Sequence, residues 1–277
     1  MAEPRKQRHW RHVALAVFAT AALLFILAPL AIVVLTSFSS QSYTVFPPEG
    51  YSLRWYVRLM EQKTFGVAAW RSILLALLST ALSLVIGTMA AYALVRYRPP
   101  GRDALKALFL SPVVLPKMVL GAAVFMLVVR LGMVGSYWSL LLTHTLICVP
   151  FVIAVVAASL ANFDWSLQEA ALDLGAKPLT AFVRVILPQI SVSVFISGLL
   201  AFVTSFDQVE TTMFLMRPGE ATLPIEMFLY LQRWQDPTIA ALSSILIVFA
   251  AALLILTSYV LRRRRLAALS DASEVQA

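Results

Sequence analysis

Charged residues are scarce in this sequence, and this scarcity sets the class of protein. Of its 277 residues, 13% are charged and 60% are apolar, and the mean hydropathy is +0.84. Soluble globular proteins carry about 25% charged residues, so this composition excludes an ordinary soluble domain. The sequence predicts a membrane protein.

The motifs of several enzyme classes are absent as well. No lysine follows any of the ten glycines, so the sequence has no phosphate-binding G-K-[ST] loop. It has neither the H-E-x-x-H motif of zinc proteases nor the G-x-S-x-G motif of serine hydrolases. Its single cysteine, Cys148, excludes an internal disulfide and a cysteine-ligated metal cluster. We therefore predict that the chain is not an enzyme and that a partner must hydrolyse any ATP that drives it.

Long apolar runs are what the sequence has in abundance. A helical run of about 20 residues crosses a hydrocarbon core of about 30 Å. The predicted spans cover residues 13–36, 72–95, 105–131, 137–158, 190–215 and 238–261. The first is about twice as long as the apolar region of a secretory signal, so we expect it to stay uncleaved. We predict an all-α membrane protein of six transmembrane helices, with residues 1–277 forming one domain.

Basic residues are distributed unequally between the two sides of these spans. The formal charge of +8 is compatible with nucleic-acid binding, but lysine and arginine are also enriched in cytoplasmic loops. With the N-terminus inside, the larger set falls in the cytoplasm: Arg5, Lys6, Arg8, Arg11, Arg96, Arg98, Arg102, Lys106, Lys177, Arg184 and Arg262 to Arg265. The smaller set falls outside: Arg54, Arg58, Lys63, Arg71, Arg217 and Arg233. The excess of basic residues is therefore explained by membrane topology rather than by nucleic-acid binding, and both termini are expected in the cytoplasm.

Two spans carry local features. In the second, Ser79, Ser83, Gly87 and Ala91 recur at every fourth residue, and such a ridge of small side chains lets membrane helices pack closely. The third contains Pro112 and Pro116. Each proline removes a helical amide, so the freed backbone must face protein or water. We predict that the second span packs against neighbours and that the third is broken and lines a path.

Two outer connections are expected to contain short amphipathic helices on the membrane surface. One would begin after Ser52, whose side chain can cap a helix with apolar residues at helical spacing. The other would run from Pro224 to Tyr230.

The connection between the fourth and fifth spans, residues 163–188, is a polar island. Ser166 followed by Glu169 predicts a capping box and the start of a helix. Gly175 can adopt the left-handed conformation that ends a helix, and Pro178 can open the next one. The prediction is helix, tight turn, helix. A DNA-binding helix-turn-helix has a similar local sequence pattern, but this segment lies between two predicted membrane spans, which disfavours DNA binding.

This island resembles the EAA loop of permease subunits of binding-protein-dependent ABC importers. Glu169-Ala170-Ala171, Gly175 and Leu187-Pro188 match the pattern, with Val185 where the usual form has isoleucine. The resemblance implies the type I importer fold and a coupling helix seated in a groove of the cytoplasmic ATPase. It assigns coupling to Glu169, Ala170, Ala171, Asp173, Gly175 and Pro188.

The resemblance also implies partners and location. They are two ATP-binding subunits that hold the ATP and Mg, a second permease subunit, and a periplasmic substrate-binding protein. Most relatives of this type pair two different permease chains, so the second subunit is expected to be a related but different chain. The location implied is the bacterial inner membrane, and no cofactor is expected in this chain.

Ionisable residues inside spans are candidates for function, because burying them in a membrane is unfavourable. Asp207 and Glu210 are three residues apart, which would place them on one helical face, and Lys117 follows the break of the third span. They either line the substrate pathway or pair to hold two helices together. An intramembrane hydrolase using the two acids is disfavoured because both lie on one predicted helix. His144 is expected to be a hydrogen bonder between helices.

The cargo is suggested by a narrower resemblance. Ser205-Phe206-Asp207 and Thr222-Leu-Pro224 are similar to segments of the polyamine-type permeases, a class that also includes opine and phosphonate importers. This implies spermidine or putrescine as cargo, and carboxylates suit a polycation. Lys117 does not suit one, so an anionic or zwitterionic opine or phosphonate remains the alternative. A membrane scaffold without transport is disfavoured by the broken span and the buried charges.

Overall fold

Helices make up nearly all of the regular structure. The computed structural model describes residues 5–97 and 99–274, and Arg98, one of the predicted cytoplasmic cations, lies outside the described residues. Within them the only extended pairing is an isolated bridge between Ser39 and Tyr51. The helices are α1 (Arg5–Ser37), α2 (Arg54–Glu61), α3 (Lys63–Arg96), α4 (Arg102–Val114), α5 (Lys117–Arg130), α6 (Tyr137–Ala161), α7 (Ser166–Asp173), α8 (Pro178–Gln189), α9 (Ser191–Phe206), α10 (Thr212–Leu215), α11 (Leu223–Arg233) and α12 (Thr238–Glu274).

Four helices of the described chain are long and apolar enough to cross a membrane. They cover His12–Ser37, Lys63–Arg96, Tyr137–Ala161 and Thr238–Tyr259. Two further pairs, α4 with α5 and α8 with α9, pass the same test together but are bent by 105° and 78°. If each bent pair is one span, the total is six, which agrees with the six predicted spans. The all-α membrane fold is therefore confirmed.

The break of the third span lies where the prolines predicted it. Leu115 is extended, with ψ at 139°, because the residue before a proline is biased away from the helical region. Pro116 caps the start of α5 and Lys117 is its first residue. In the second bent pair, Pro188 removes one helical amide near the bend, and residues Phe182–Ile186 just before it form a π-helical turn.

Two predicted span boundaries are wrong. The second span begins earlier, at Lys63, so less of the outer connection is loop. The last candidate span ends at Tyr259, close to the predicted Leu261, although its helix continues to Glu274 because arginine and alanine are good helix formers. The fifth span, expected as continuous over 190–215, is interrupted after Phe206.

The chain divides into two compact units, Met1–Lys63 with Leu229–Ala277, and Thr64–Phe228. The single-domain organisation stays a prediction, because compactness does not say whether either unit folds alone. In the first unit, Trp55 of α2 is buried and its Nε1 donates to the Ser39 carbonyl at 2.7 Å. The Ser52 hydroxyl accepts the amide of Arg54 at 3.2 Å, but the N-cap position of α2 is Leu53, so Ser52 lies one residue before the predicted cap position.

The second unit is built around α6. The predicted ridge of small residues on α3 is fully buried, and the Ser83 hydroxyl donates to the Thr145 carbonyl of α6 at 3.3 Å. A Cβ added at Gly87 would lie 2.7 Å from Val152, so only glycine allows α3 to approach α6 this closely. The packing prediction for the ridge is confirmed. The predicted outer helix forms as α11, although its Ile225 is fully buried rather than lying on a surface.

Candidate functional site: coupling loop and broken helix

The polar segment at residues 163–188 forms the predicted helix, turn and helix, but its first helix starts without the predicted cap. The Asp164 carboxylate accepts the Ser166 amide at 3.0 Å, and hydrogen bonds from Ser166 lower the pKa of Asp164. Ser166 is the first helical residue, and the Glu169 amide bonds to the Trp165 carbonyl at 3.2 Å. The predicted capping box is therefore wrong. The N-cap position is Trp165, which has no side-chain cap, and the Asp164 carboxylate instead forms an Asx-type turn with the Ser166 amide just before the helix.

The carboxylate of Glu169 pairs instead with the end of α3. The Arg96 Nη2 lies 3.0 Å from the Glu169 Oε1, and the Arg96 guanidinium also lies 5.1 Å from the ring centre of Trp165. Because the Glu169 side chain is 59% exposed, such a pair contributes about 0–1 kcal/mol. The pair therefore links the loop to the end of α3 but adds little to the stability of the fold.

The end of α7 is a Schellman turn. Gly175 has φ at +84°, its amide donates to the Leu172 carbonyl at 2.9 Å, and the Ala176 amide donates to the Ala171 carbonyl at 3.0 Å. Pro178 opens α8 at its first position. A Cβ at Gly175 would meet nothing within 4 Å. The glycine is therefore required by backbone conformation alone, as predicted.

Aromatic residues and one glutamine anchor the loop, and the sequence interpretation missed them. The Gln168 side chain is buried and its Nε2 donates to the Tyr92 hydroxyl at 2.7 Å. The Tyr92 ring contacts Phe182 at 5.1 Å between ring centres and Trp165 at 6.1 Å. Tyr92 is 76 residues from Gln168, so no local pattern could have joined them.

The outward side of the loop carries most of the predicted coupling residues. Glu169, Ala170, Asp173, Gly175 and Pro188 are exposed, while Ala171 is half-buried. Between them stands Leu174, a large apolar side chain that is 89% exposed. The loop therefore presents a small mixed apolar and acidic surface on a rigidly anchored support.

The second candidate region is the break after α9. Asp207 caps the end of α9, and residues 208–211 are not helical before α10 begins. Asp207 and Glu210 therefore do not share a helical face, and that prediction is wrong. The structure brings Lys117 to Glu210, with Nζ 3.9 Å from Oε2 and side chains 50% and 38% exposed. The Gln208 amide also donates to the Glu210 Oε2 at 3.1 Å.

A buried hydrogen-bond chain adjoins the break and is centred on His144. The ring is 1% exposed. Its Nδ1 lies 2.8 Å from the Ser205 hydroxyl oxygen, and its Nε2 lies 2.9 Å from the Thr212 hydroxyl oxygen. Thr212 donates to the Gln208 carbonyl at 2.7 Å, and Ser79 donates to the Ser205 hydroxyl at 2.8 Å.

These contacts assign the proton positions. Since the Thr212 hydrogen points to Gln208, its oxygen accepts from Nε2, and Nδ1 accepts from Ser205. This hydrogen-bond chain requires a neutral His144, because only a neutral ring can accept at Nδ1 while it donates from Nε2. It links α3, α6, α9 and α10, so the prediction that His144 bonds helices together is confirmed.

Comparison with known proteins places this architecture in a family. The sequence profile described as "Binding-protein-dependent transport system inner membrane component" matches residues 83–266. The spermidine/putrescine transport system permease protein PotC of Escherichia coli (strain K12) is 31% identical over 233 residues, which are 84% of this chain and 88% of PotC. The putrescine transport system permease protein PotI of the same strain is 30% identical over 255 residues, 89% of this chain and 90% of PotI.

Solved structures share the fold. A chain of a bacterial ABC transporter involved in the import of the acidic polysaccharide alginate has a TM-score of 0.72 at 19% identity, covering 95% of this chain and 99% of that one. A chain of the MetNI methionine ABC transporter has a TM-score of 0.56 at 18% identity, covering 70% and 92%. The chain therefore belongs to the family of binding-protein-dependent transport system inner membrane components, and it is a transmembrane permease subunit of an ABC importer rather than an enzyme.

Proposed function

We propose that this permease forms half of the translocation pathway of an ATP-driven polyamine importer. The observation that carries the proposal is the similarity to PotC and PotI over more than four fifths of the chain. By their names those relatives transport spermidine and putrescine. The matched family profile, residues 83–266, also covers the break at residues 207–211, where Asp207 and Glu210 lie.

The charges at the break fit a cationic cargo. Lys117 would repel a polyamine, but Glu210 stands 3.9 Å from its ammonium and offsets its charge. Asp207 is exposed at the end of α9 and leaves the region with a net negative charge. A carboxylate beside a partly desolvated ammonium favours both charged forms. In this proposal Asp207 attracts the cargo, whereas Lys117 and Glu210 form a pair that the cargo can exchange with.

Uptake of radiolabelled putrescine and spermidine, in a strain lacking other polyamine importers, tests the proposal. Asp207→Asn should lower uptake about tenfold or more, because a hydrogen bond to a charged group contributes about 1.5–3 kcal/mol. Lys117→Met should change it less, and Asp103→Asn, an exposed acid at the start of α4, serves as the control. A wild-type complex that moves neither polyamine but moves an opine or phosphonate in a Lys117-dependent way would replace this cargo.

The loop around α7 is proposed as the contact with the ATPase. Glu169, Ala170, Ala171, Asp173, Gly175 and Pro188 would form or shape that contact, as the resemblance implies. Leu174, 89% exposed, adds an apolar side chain that such a contact would cover. ATP-driven closure would then move α7, and the anchors to α3 would transmit that movement to the spans.

The partners proposed are two ATP-binding subunits, a second and different permease chain, and a periplasmic substrate-binding protein. ATP and Mg would be held by the ATP-binding subunits, since no lysine follows a glycine in this chain. Purifying the complex and quantifying its subunits by mass spectrometry tests the composition. A complex with two copies of this chain and no other permease would contradict the heteromeric arrangement.

The proposed topology has both termini and Asp173 in the cytoplasm of a bacterial cell, with Glu49 and Glu220 outside the inner membrane. Single cysteines can report it, because native Cys148 is fully buried and should not label. Cysteines at Glu49 and Glu220 should label in intact cells. A cysteine at Asp173 should label only after permeabilisation, and equal labelling without it would contradict the six-span arrangement.

A further inference from the structure

A cavity lies within the unit Thr64–Phe228, and its lining does not include Lys117, Asp207 or Glu210. It has a volume of about 420 Å³, and its lining includes both polar and apolar side chains. The polar residues are Arg71, Ser136, Tyr137, Arg217, Glu220 and Thr222. The N-terminus of the 25-residue helix α6 opens into this lining at Ser136 and Tyr137. No part of the proposed transport path uses this cavity.

The electrostatics of the cavity favour an anion. Arg71 donates one hydrogen bond, to the Gly219 carbonyl at 2.9 Å, and among the described residues neither Arg71 nor Arg217 has a carboxylate within 4.0 Å. Two guanidinium groups therefore face a single lining carboxylate, that of Glu220. The positive end of the α6 dipole adds to the same potential.

A buried and unpaired hydroxyl in the lining points independently to a ligand. Thr222 is 4% exposed, and its Oγ1 has no hydrogen-bond partner within the part of the chain that the structure describes. Buried polar groups are normally paired, and an exception calls for an explanation. A phosphate oxygen entering the cavity would accept from this hydroxyl and from the arginines.

The position of the cavity identifies the source of that phosphate. Trp70 precedes Arg71 at the start of the apolar part of α3, and Trp138 follows Tyr137 at the start of α6. Both tryptophans are about two-thirds exposed. Exposed tryptophan at helix ends marks the level of lipid headgroups. We propose that this cavity binds the phosphate diester of an anionic phospholipid through Arg71, Arg217 and Thr222.

Binding can be measured by native mass spectrometry on the purified transporter complex, with phosphatidylglycerol as the probe and phosphatidylcholine for comparison. The wild type should retain phosphatidylglycerol preferentially. The double variant Arg71→Gln/Arg217→Gln should bind it about 25-fold more weakly, because each basic residue near anionic lipid contributes about a factor of five. Arg130→Gln is the matched control, since Arg130 is exposed at the nearby end of α5 but does not line the cavity.

Two further variants keep the test independent of folding. Thr222→Val removes only a hydroxyl that has no partner, so it should leave the fold intact and weaken lipid retention. Glu220→Gln removes the opposing charge and should strengthen retention. Equal retention by the wild type and the double variant would overturn the proposal.

Two more outcomes would overturn it by pointing to another ligand. If inorganic phosphate alone binds as tightly as phosphatidylglycerol, the site takes a free anion. If the double variant keeps its lipid but loses stimulation by the binding protein, the cavity accepts an acidic side chain of that partner instead.

Discussion

The loop at residues 163–188, proposed as the coupling loop, and the break after α9 both interrupt helical structure, yet they are specified in different ways. The loop is encoded locally: Asp164 accepts the amide of the first residue of α7, Gly175 ends α7 and Pro178 begins α8, all within 15 residues. The break carries no glycine or proline between Phe206 and Thr212. Instead it is held by hydrogen bonds to His144, a residue 61 positions away from Ser205. The loop is therefore specified by residues that favour turns, whereas the break after α9 is specified by tertiary contacts.

The largest effect is expected at the turn of the loop. Gly175→Val should abolish uptake while the protein still inserts, because a β-branched residue strongly disfavours φ at +84°. Gly175→Asn should retain most uptake, because asparagine tolerates the left-handed region and the site has space for its side chain. Radiolabelled uptake with immunoblotting of membranes measures both. Equal loss in the two variants would mean that something other than backbone conformation requires this glycine.

The next effect concerns how Glu169 acts. Glu169→Lys should abolish or nearly abolish uptake, since it loses the pair with Arg96 and places a cation at a helix start that favours anions. If orientation on α3 is its main role, the exchange Arg96→Glu/Glu169→Arg should restore part of the uptake. Arg96→Gln alone supplies the control.

The outcome of this exchange separates two roles for one carboxylate. No recovery in the exchanged variant, combined with normal uptake in Arg96→Gln, would show that Glu169 serves the ATPase contact and not the tether. Unimpaired uptake in Glu169→Lys, with the ATPase still co-purifying, would remove the loop from the mechanism.

At the break, the expected effect is on stability as well as transport. His144→Leu should lower the free energy of unfolding by about 1–2 kcal/mol, because two interhelical hydrogen bonds are lost in the membrane interior. Thr145→Val, on the same helix, should cost less, since its hydroxyl bonds only within α6, to the Leu141 carbonyl at 2.8 Å. Thermal unfolding of the purified complex compares them. Equal stability of both variants would mean that the hydrogen bonds of His144 do not stabilise the break after α9.

The smallest effect is expected at the start of α7. Asp164→Ala removes the acceptor of the Ser166 amide and should slow uptake slightly, while Asp164→Asn should be nearly silent, because asparagine can form the same turn. The lowered pKa of Asp164 means that its carboxylate is charged above its unfolded pKa and is neutralised only as pH falls through the lower folded value. Uptake should therefore show no Asp164-dependent change between pH 5 and 8, and a change there would contradict this role.

The contrast between the two regions also explains what could be predicted from the sequence. The membrane spans were predicted because they follow from hydropathy. The break at Pro116 and the turn at Gly175 were predicted because proline and glycine have characteristic backbone conformations. Asp207 and Glu210 were placed on one helix because sequence periodicity carries no information on tertiary contacts. The hydrogen bonds of His144 to Ser205 and Thr212, on either side of the break, are such contacts. The capping box at Ser166 was wrong because the helix begins at Ser166 itself, one residue too early for Ser166 to be its N-cap. Arg96 was missed as a partner of Glu169 because the residues are 73 positions apart.

The most direct test of the division of roles is site-specific photo-crosslinking in the assembled complex. A photoreactive residue placed at Leu174 should capture the ATP-binding subunit, identified by mass spectrometry, because that side chain stands exposed on the coupling loop. The same probe at Asp207 should not capture it, and its crosslinking to neighbouring chains should fall when putrescine is added. Capture of the ATP-binding subunit from position 207, with none from position 174, would contradict the account.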